Sequence, residues 1–281
     1  MSLRSDPFTI KFKHVPVYVF LALFTLYALF PVAWTFITSI KPEEQAVAYP
    51  PRLLPDTVTL DNYAHVITQT PVPRYMWNSL VVAAGTVAVV VVASMLAGYA
   101  FSRFRFPGHG MLLLLLLICV MVSGATKVIP LYLMLLRFGQ LNTHFGLILT
   151  YSAELIPISV WLMKSYLDAI PRELDEAGLT DGAGRLRVFF GLVLPVSLPG
   201  LMAVILFVFV KASQEFIYAS TFISEPNLKT APAGLYLFLT EIGVQWSNLA
   251  AASLLVVLPV ILIFLLLQRW FVSGLTAGAV K

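Results

Sequence analysis

The chain has 281 residues, of which 59% are hydrophobic and 11% charged, with a formal net charge of +4. Soluble domains carry about 45–50% apolar and about 25% charged residues, so a soluble globule is excluded. A mean hydropathy of +0.88 leads instead to a single membrane domain spanning residues 1–281, built from α-helices that satisfy their own backbone in lipid.

Crossing a bilayer core takes roughly 20 apolar residues of helix. In chain order, six segments reach that length: near 17–40, 76–101, 111–136, 145–163, 197–220 and 246–268. The first is too long for a cleaved signal segment. It runs on into Pro31 and Trp34 rather than a small-residue cleavage site, and reads as a retained span. The alternation of a β-barrel is missing, and "MLLLLLLICVMV" has no polar stripe. Cys119 in that run is the only cysteine, which excludes an internal disulfide, and it reads as a small core residue. Pro130, Pro157 and Pro259 fall within spans as candidate kinks.

Six spans put both termini on one side. That side holds Lys11, Lys13, Arg103, Arg105, Arg185 and Arg187 among its basic residues; the other holds Lys41, Arg52, Arg74, Arg137 and Lys229. The basic excess predicts a cytoplasmic N-terminus (1–16) and a cytoplasmic tail (270–281). The positive balance therefore reports topology. No interleaving of aromatic and basic residues marks a nucleic-acid groove. The Pro-rich stretch 41–75 and the stretch 221–245 face outward, and "SRFRFPGHG" is a short inward turn.

The loop 164–196 is the only long inward one. In "IPRELDEAGLTDGAGRLRVFFGLVLP", Pro171 suits a first helical turn, and Glu173, Asp175 and Glu176 favour its positive end. Gly178 and Asp181-Gly182 suit a break. Arg185 and Arg187 open a second helix with Leu186, Phe189, Phe190 and Val193 as its apolar side. Pro195 and Pro199 lead into the fifth span. A compact helix–turn–helix knob follows, with a solvated connector as the alternative. Asp181 is either a contact on that knob or a cap for the second helix.

Four ionisable residues lie in spans: Lys127, Glu154, Lys211 and Glu215. Each costs roughly 2.5–3.5 kcal/mol at the bilayer centre, which makes it a functional candidate. Lys211 and Glu215 are one helical turn apart and within pairing reach; Lys127, near an outer end, can snorkel. Two readings stay open. Glu154, Lys211 and Glu215 form an ion-pair network that fixes packing, or some of them line a watery path. Gln214 and Tyr218 beside them suit hydrogen bonding to sugar hydroxyls.

Enzyme signatures are missing. His14, His65, His109 and His144 are dispersed without metal-ligand spacing, and no metal site is expected. No Ser, His and acid set shares one membrane depth. The phosphate loop G-x-x-x-x-G-K-[ST] is absent, so no ATPase site is expected on this chain.

The stretch "EAGLTDGAGRLRVFFGLVLPVSLP" resembles the EAA motif of ABC importer permeases. The matching residues are Glu176, Ala177, Asp181, Gly182, Ala183, Phe189, Leu192, Leu194, Pro195 and Pro199. Gly178 departs from the usual Ala or Ser and is expected to loosen the first coupling helix. "AGYAFSRFRFPG", "IPLYLMLLRFGQLNTHFGLIL" and "LPVILIFLLLQRWFVSGLTAGAVK" are similar to segments of the maltose-type carbohydrate permeases, in the same order.

The resemblance implies an all-α integral membrane protein with six transmembrane helices and a cytoplasmic coupling-helix loop. It implies a permease subunit, in a bacterial inner membrane, that forms half of a pathway for a carbohydrate or polyol. Glu176, Ala177, Gly178, Asp181, Gly182 and Ala183 would couple to a separate ATPase, with Glu176 pairing a basic group there. Gly274, Leu275, Thr276 and Gly278 would form an ATPase-interface tail. The implied partners are a second permease, two ATPase subunits, an extracytoplasmic solute-binding protein and membrane lipid. ATP and Mg would be used by the ATPase, with no cofactor on this chain. Glu154, Lys211, Gln214, Glu215 and Tyr218 are the candidate substrate-pathway residues. Ser213-Gln214-Glu215 stands where the family has a Trp-Asn-Glu run. The missing Trp counts against a standard sugar-stacking role, and the charges spread over spans 4 and 5 leave room for a phosphorylated or otherwise charged small solute. A membrane scaffold would explain the spans but not the knob and tail together.

Overall fold

The structure is a computed structural model that describes residues 15–240 and 243–276. Gly278 and most of the segment 1–16 lie outside the described residues, and of Gly274, Leu275 and Thr276 only the helical backbone is described. In chain order the principal helices are α1 (Val15–Ser39), α2 (Asp61–Gln69), α3 (Val72–Arg103), α4 (His109–Met121) and α5 (Gly124–Arg137). They continue with α6 (His144–Asp168), α7 (Glu173–Thr180), α8 (Arg185–Val188), α9 (Leu198–Ser213), α10 (Ile217–Phe222) and α11 (Trp246–Thr276).

Among the described residues, four helices are long and apolar enough to cross a membrane: α1, α3, α6 and the first 23 residues of α11. Two bent pairs raise the number to six if each counts as one span. α4 and α5 meet at 101°, and Arg185–Val196 meets α9 at 72°. The expected continuous span 111–136 is therefore broken, at Val122 and Ser123, where the backbone turns extended. The expected span 197–220 also stops at Ser213 and resumes at Ile217. Pro130, Pro157 and Pro259 lie inside helices that continue through them. The 72° bend falls instead at Ser197, between Pro195 and Pro199, where missing N–H groups already weaken the ladder.

The chain divides into two compact units. The first holds the residues up to Gln69 together with Phe238–Leu254. Here Asn62 donates from Nδ2 to the Ser39 and Lys41 carbonyls at 2.9 and 2.8 Å, which closes the end of α1. Lys41 is buried; its Nζ donates to the Arg52 carbonyl and lies 5.1 Å from the Trp34 ring centre. The Glu43 carboxylate accepts the Trp246 and Ser247 N–H groups at 2.7 and 2.9 Å. It caps α11 from far along the chain, satisfying groups that a helix start otherwise leaves unpaired. A two-stranded ribbon pairs β1 (Leu239–Thr240) with β2 (Gly243–Val244).

The second unit holds Thr70–Leu237 and the residues from Leu255 on. α3 and α6 form its axis, with α9 alongside. The core is largely apolar, with small polar residues such as Thr86, Ser94 and Ser159 buried among the apolar ones. Val82, Ala83, Leu147 and Phe209 are buried towards one end, and Val90, Met163, Leu167 and Val204 towards the other. Small residues set the helix spacing. A Cβ on Gly98 would stand 3.1 Å from the Lys164 backbone nitrogen, and one on Gly200 only 2.4 Å from the Tyr166 ring. α4 differs from its neighbours in burying no residue at all. Cys119 on it is exposed, so it is not the small core residue that its apolar surroundings suggest.

The segment after α10 is more ordered than its outward-loop reading implies. Asn78 donates from Nδ2 to the Asn227 and Lys229 carbonyls, both at 2.9 Å. Asn142 accepts the Ser224 and Glu225 N–H groups on its side-chain oxygen. These amides fasten the segment to α3 and to the entrance of α6.

Replacing Gly98 by Leu should force α3 and α6 apart at a backbone contact, a cost of about 1–3 kcal/mol. Thermal unfolding of the detergent-purified protein should show a lower midpoint. Gly110→Ala, at a helical glycine with open space around it, should leave the midpoint in place.

Candidate functional site

The knob expected from residues 170–195 exists. α7 carries Glu173, Asp175 and Glu176 in its first turn, and α8 follows after a turn at Asp181–Gly184. Gly182 takes a left-handed φ of +80°, a conformation that L side chains rarely adopt. Asp181 sits at the C-terminal end of α7 and is exposed. Gly184 occupies the N-cap of α8 with no side-chain cap bond, so Asp181 does not cap the second helix. Past α8 the chain makes a π-helical turn, Phe189–Val193.

The base of the knob is packed and the tip is open. Val188, Phe189 and Val193 are buried, whereas Leu186 and Phe190 are 76% and 59% exposed. The four residues expected to share one apolar side thus divide between the interior and the surface. The π turn, Phe189–Val193, adds a residue to the helical turn and re-aims the side chains from Phe189 on, while Leu186 precedes it on the exposed part of α8. Gly178 behaves opposite to its expected loosening role. It is buried, and a Cβ there would lie 2.7 Å from Leu192 and 3.0 Å from Val188. The missing side chain lets α7 close onto the second half of the knob. Glu176, Ala177, Leu179, Asp181, Arg185, Leu186 and Arg187 form the exposed tip.

A buried polar junction fixes α7 to the spans. The Arg103 guanidinium donates from Nε to Asp175 Oδ2 at 2.9 Å, from Nη1 to the Leu167 carbonyl at 3.0 Å and from Nη2 to the Ile170 carbonyl at 3.1 Å. Tyr99 donates its hydroxyl to the other Asp175 oxygen at 2.9 Å. The Arg103 and Asp175 side chains are only 6% and 13% exposed. Arg103 therefore ends α3, closes the carbonyl end of α6 and neutralises the acid on α7. Arg172 returns the pattern by donating to the Ser102 carbonyl at 2.8 Å. Phe189 stacks edge-on against Tyr99 at 4.9 Å, and the Arg185 guanidinium lies 5.4 Å from the Phe104 ring centre.

Sequence reasoning missed this junction. Arg103 counts there as a topological charge and Asp175 as a helix-dipole charge. The available signal was an arginine closing a span and an acid opening a short helix on the same side of the membrane. Nothing in the sequence states that they touch.

A second polar cluster lies among the spans. Glu154 on α6 forms an ion pair with Lys127 on α5, both side chains partly buried. The Tyr218 hydroxyl donates to the Gly124 carbonyl at 3.1 Å and stands 3.5 Å from Glu154 Oε2. Glu215 accepts the N–H groups of Tyr218 and Ala219 at 2.9 and 3.1 Å, which caps α10. The structure thus joins Glu154, Glu215 and Tyr218 and adds Lys127, which does not simply snorkel. It separates Lys211 from them. α9 ends before Glu215, the Glu215 carboxylate is occupied by backbone N–H groups, and among the described residues Lys211 has no ion-pair partner. The expected network of Glu154, Lys211 and Glu215 is not formed. Lys211 and Gln214 are both exposed.

Apolar spans broken beside buried charge, together with a clamped polar knob at their ends, define a helical membrane transport subunit rather than a bundle of passive anchors. Residues 3–276 match the family described as binding-protein-dependent transport system inner membrane component. The chain belongs to that family, whose members are multi-pass permease components of inner-membrane importers. It is 36% identical to the inner membrane ABC transporter permease protein YcjP of Escherichia coli, over 96% of this chain and 97% of the relative. It is 33% identical to the trehalose/maltose transport system permease protein MalG of Thermococcus litoralis, over 96% and 97%. Its fold matches a bacterial ABC transporter that imports the acidic polysaccharide alginate, with a TM-score of 0.80 at 19% identity, covering 92% of this chain and 95% of that one.

Arg103→Ala leaves the buried Asp175 carboxylate without its counter-ion and removes the guanidinium bonds to the Leu167 and Ile170 carbonyls, a loss of about 3–5 kcal/mol on the scale of a broken buried ion pair. Limited proteolysis should then cut within 170–190 much faster than in the unaltered protein. Tyr99→Phe removes one hydrogen bond to the Asp175 carboxylate and should cost less, about 1.5–3 kcal/mol.

Proposed function

We propose that this chain is the carbohydrate-importing half of a heteromeric ABC permease, driven through its 170–190 knob by a separate ATPase. The observation that carries the reading is the division of the knob into a buried, ion-paired base and an exposed tip. A lever must be stiff where it joins the load and accessible where it is gripped. The junction of Arg103, Asp175 and Tyr99 supplies the stiffness by fixing α7 to the ends of α3 and α6. Glu176, Ala177, Asp181 and Gly182 supply the accessible contact, with Gly178 and Ala183 shaping the turn behind them.

On this reading residues 1–281 act as one permease domain with both termini and the knob in the cytoplasm. Gly274, Leu275, Thr276 and Gly278 extend the same interface. A second permease, two ATPase subunits and an extracytoplasmic binding protein complete the transporter. ATP and Mg are used on the ATPase, and this chain binds no cofactor and hydrolyses nothing. Glu154, Gln214, Glu215 and Tyr218, with Lys127, border the path of the solute. The sugar-transport name of the 33% identical relative supports a carbohydrate cargo.

Glu176→Lys combined with Gly182→Val should abolish solute uptake in the reconstituted transporter while the ATPase continues to turn over. Coupled uptake that survives both changes would remove the knob from the mechanism.

A second reading of the cargo is favoured by Lys211. An ammonium 13 residues into α9 lies on the order of 20 Å along that helix and is too costly to face lipid. Lys127 pairs with Glu154, and Glu215 is held by backbone N–H groups rather than by a cation, so among the described residues Lys211 is the span cation without a carboxylate partner. A sugar bearing an acidic group would pair with it. Lys211→Gln should then reduce uptake of the acidic sugar about tenfold or more relative to a neutral one, the weight of a lost charge-assisted hydrogen bond.

A further inference from the structure

One basic cleft borders the junction at the base of the knob, sharing Arg103 and Arg172 with it, and lies apart from the exposed tip and the residues assigned to the solute path. It opens where the last turns of α3 and α6 meet the 104–109 turn, and its volume is about 680 Å3. Arg105, His109, Lys164 and Arg172 line it, with Phe101 and Phe106 beside them.

The charges in this cleft are not all used. Both oxygens of Asp168, the acid on its wall, are occupied: Oδ1 accepts the Ser102 hydroxyl at 2.7 Å and Oδ2 the Lys164 ammonium at 2.6 Å. Arg103 is committed to Asp175 and the carbonyls at the end of α6. Arg172 gives one nitrogen to the Ser102 carbonyl. His109 gives one ring nitrogen to the Phe101 carbonyl at 2.9 Å. Arg105 is exposed and, among the described residues, makes no hydrogen bond or ion pair. Two guanidinium groups with free donors therefore face a cleft whose acid is already neutralised. Planar guanidinium donors match the oxygens of phosphate, as they do those of carboxylate, in bidentate geometry.

The surroundings select the source of the phosphate. The cleft lies at the level where the spans end, and α4 rises from it starting at His109. Met111, Leu112 and Leu115 on α4 are exposed, and the helix buries nothing. A soluble anion would leave that apolar face unused. A molecule with a phosphate head and hydrocarbon tails would cover both.

We infer that this cleft binds a phosphodiester, the headgroup of an anionic membrane phospholipid whose acyl chains lie along α4. The arrangement is that of a basic pocket between spanning helices, where each basic side chain adds to headgroup affinity. The site needs only a membrane location and does not depend on the docking role given to the knob.

The test is native mass spectrometry of the assembled transporter after exposure to phosphatidylglycerol or to phosphatidylcholine with the same chains. The unaltered protein should retain phosphatidylglycerol preferentially. Arg105→Gln should lower that preference about fivefold, the weight of one basic residue at an anionic surface. Arg137→Gln, the same charge change at an exposed residue ending α5, should leave it in place. Equal retention of the two lipids by the unaltered protein, or an undiminished preference in Arg105→Gln, would overturn the assignment. Inorganic phosphate supplied alone should leave no adduct. An adduct that forms with phosphate and disappears in Arg105→Gln would reassign the cleft to a soluble anion and overturn the lipid source. Transport activity is not the readout, so failure here leaves the reading of the knob untouched.

Discussion

The organisation of this protein depends on one buried guanidinium. Arg103 stands where α3 ends, and three of its nitrogens reach three different partners: the acid of α7, the Leu167 carbonyl of α6 and the Ile170 carbonyl just beyond it. A helix end carries carbonyls without intrahelical partners, and a buried charge needs an opposite charge. Here each requirement is met by the other. The same interaction that finishes two spanning helices sets the position of the short helix that follows them. Displacement of α7 is therefore opposed at both spans together.

The centre of the spans is governed by a related constraint. A membrane helix cannot be interrupted without exposing N–H and C=O groups, and interruptions survive only where protein or water meets those groups. Among the described residues, the break between α4 and α5 and the break after α9 each have a side chain bonded to backbone beside them. The Tyr218 hydroxyl donates to the Gly124 carbonyl beside the break between α4 and α5. The Glu215 carboxylate accepts the first N–H groups of α10 after the break that follows α9. Tyr218 belongs to α10, so the repair of one break depends on the placement of the helix after the other. The partly buried ion pair of Lys127 and Glu154 stands beside this link. The polar residues of the spans thus bond to backbone beside the broken helices.

Glycine has two different tasks in the knob. Gly182 is needed for its backbone angle, since φ there is +80° and space around it is open. Gly178 is needed for space, because Leu192 and Val188 occupy the position of the absent side chain. A departure from a family pattern that reads as loosening is, in the folded chain, a point of closer contact.

Much of this was legible from the residues alone. Long apolar runs announce spanning helices because lipid cannot satisfy a backbone, and the acidic first turn, the Asp181-Gly182 pair and the paired arginines announce a two-helix knob. These are local properties, written in composition and short spacing. The Arg103–Asp175 pair, the union of Lys127 with Glu154, the capping role of Glu215 and the division of Leu186 and Phe190 from Phe189 and Val193 were not legible. Each depends on which atoms meet across separations of tens of residues, or on a single π turn that rotates the side chains after it. Period and hydropathy specify which residues avoid water. Only tertiary packing decides which polar group satisfies which, because a hydrogen bond is set by distance and direction in space and not by place in the chain.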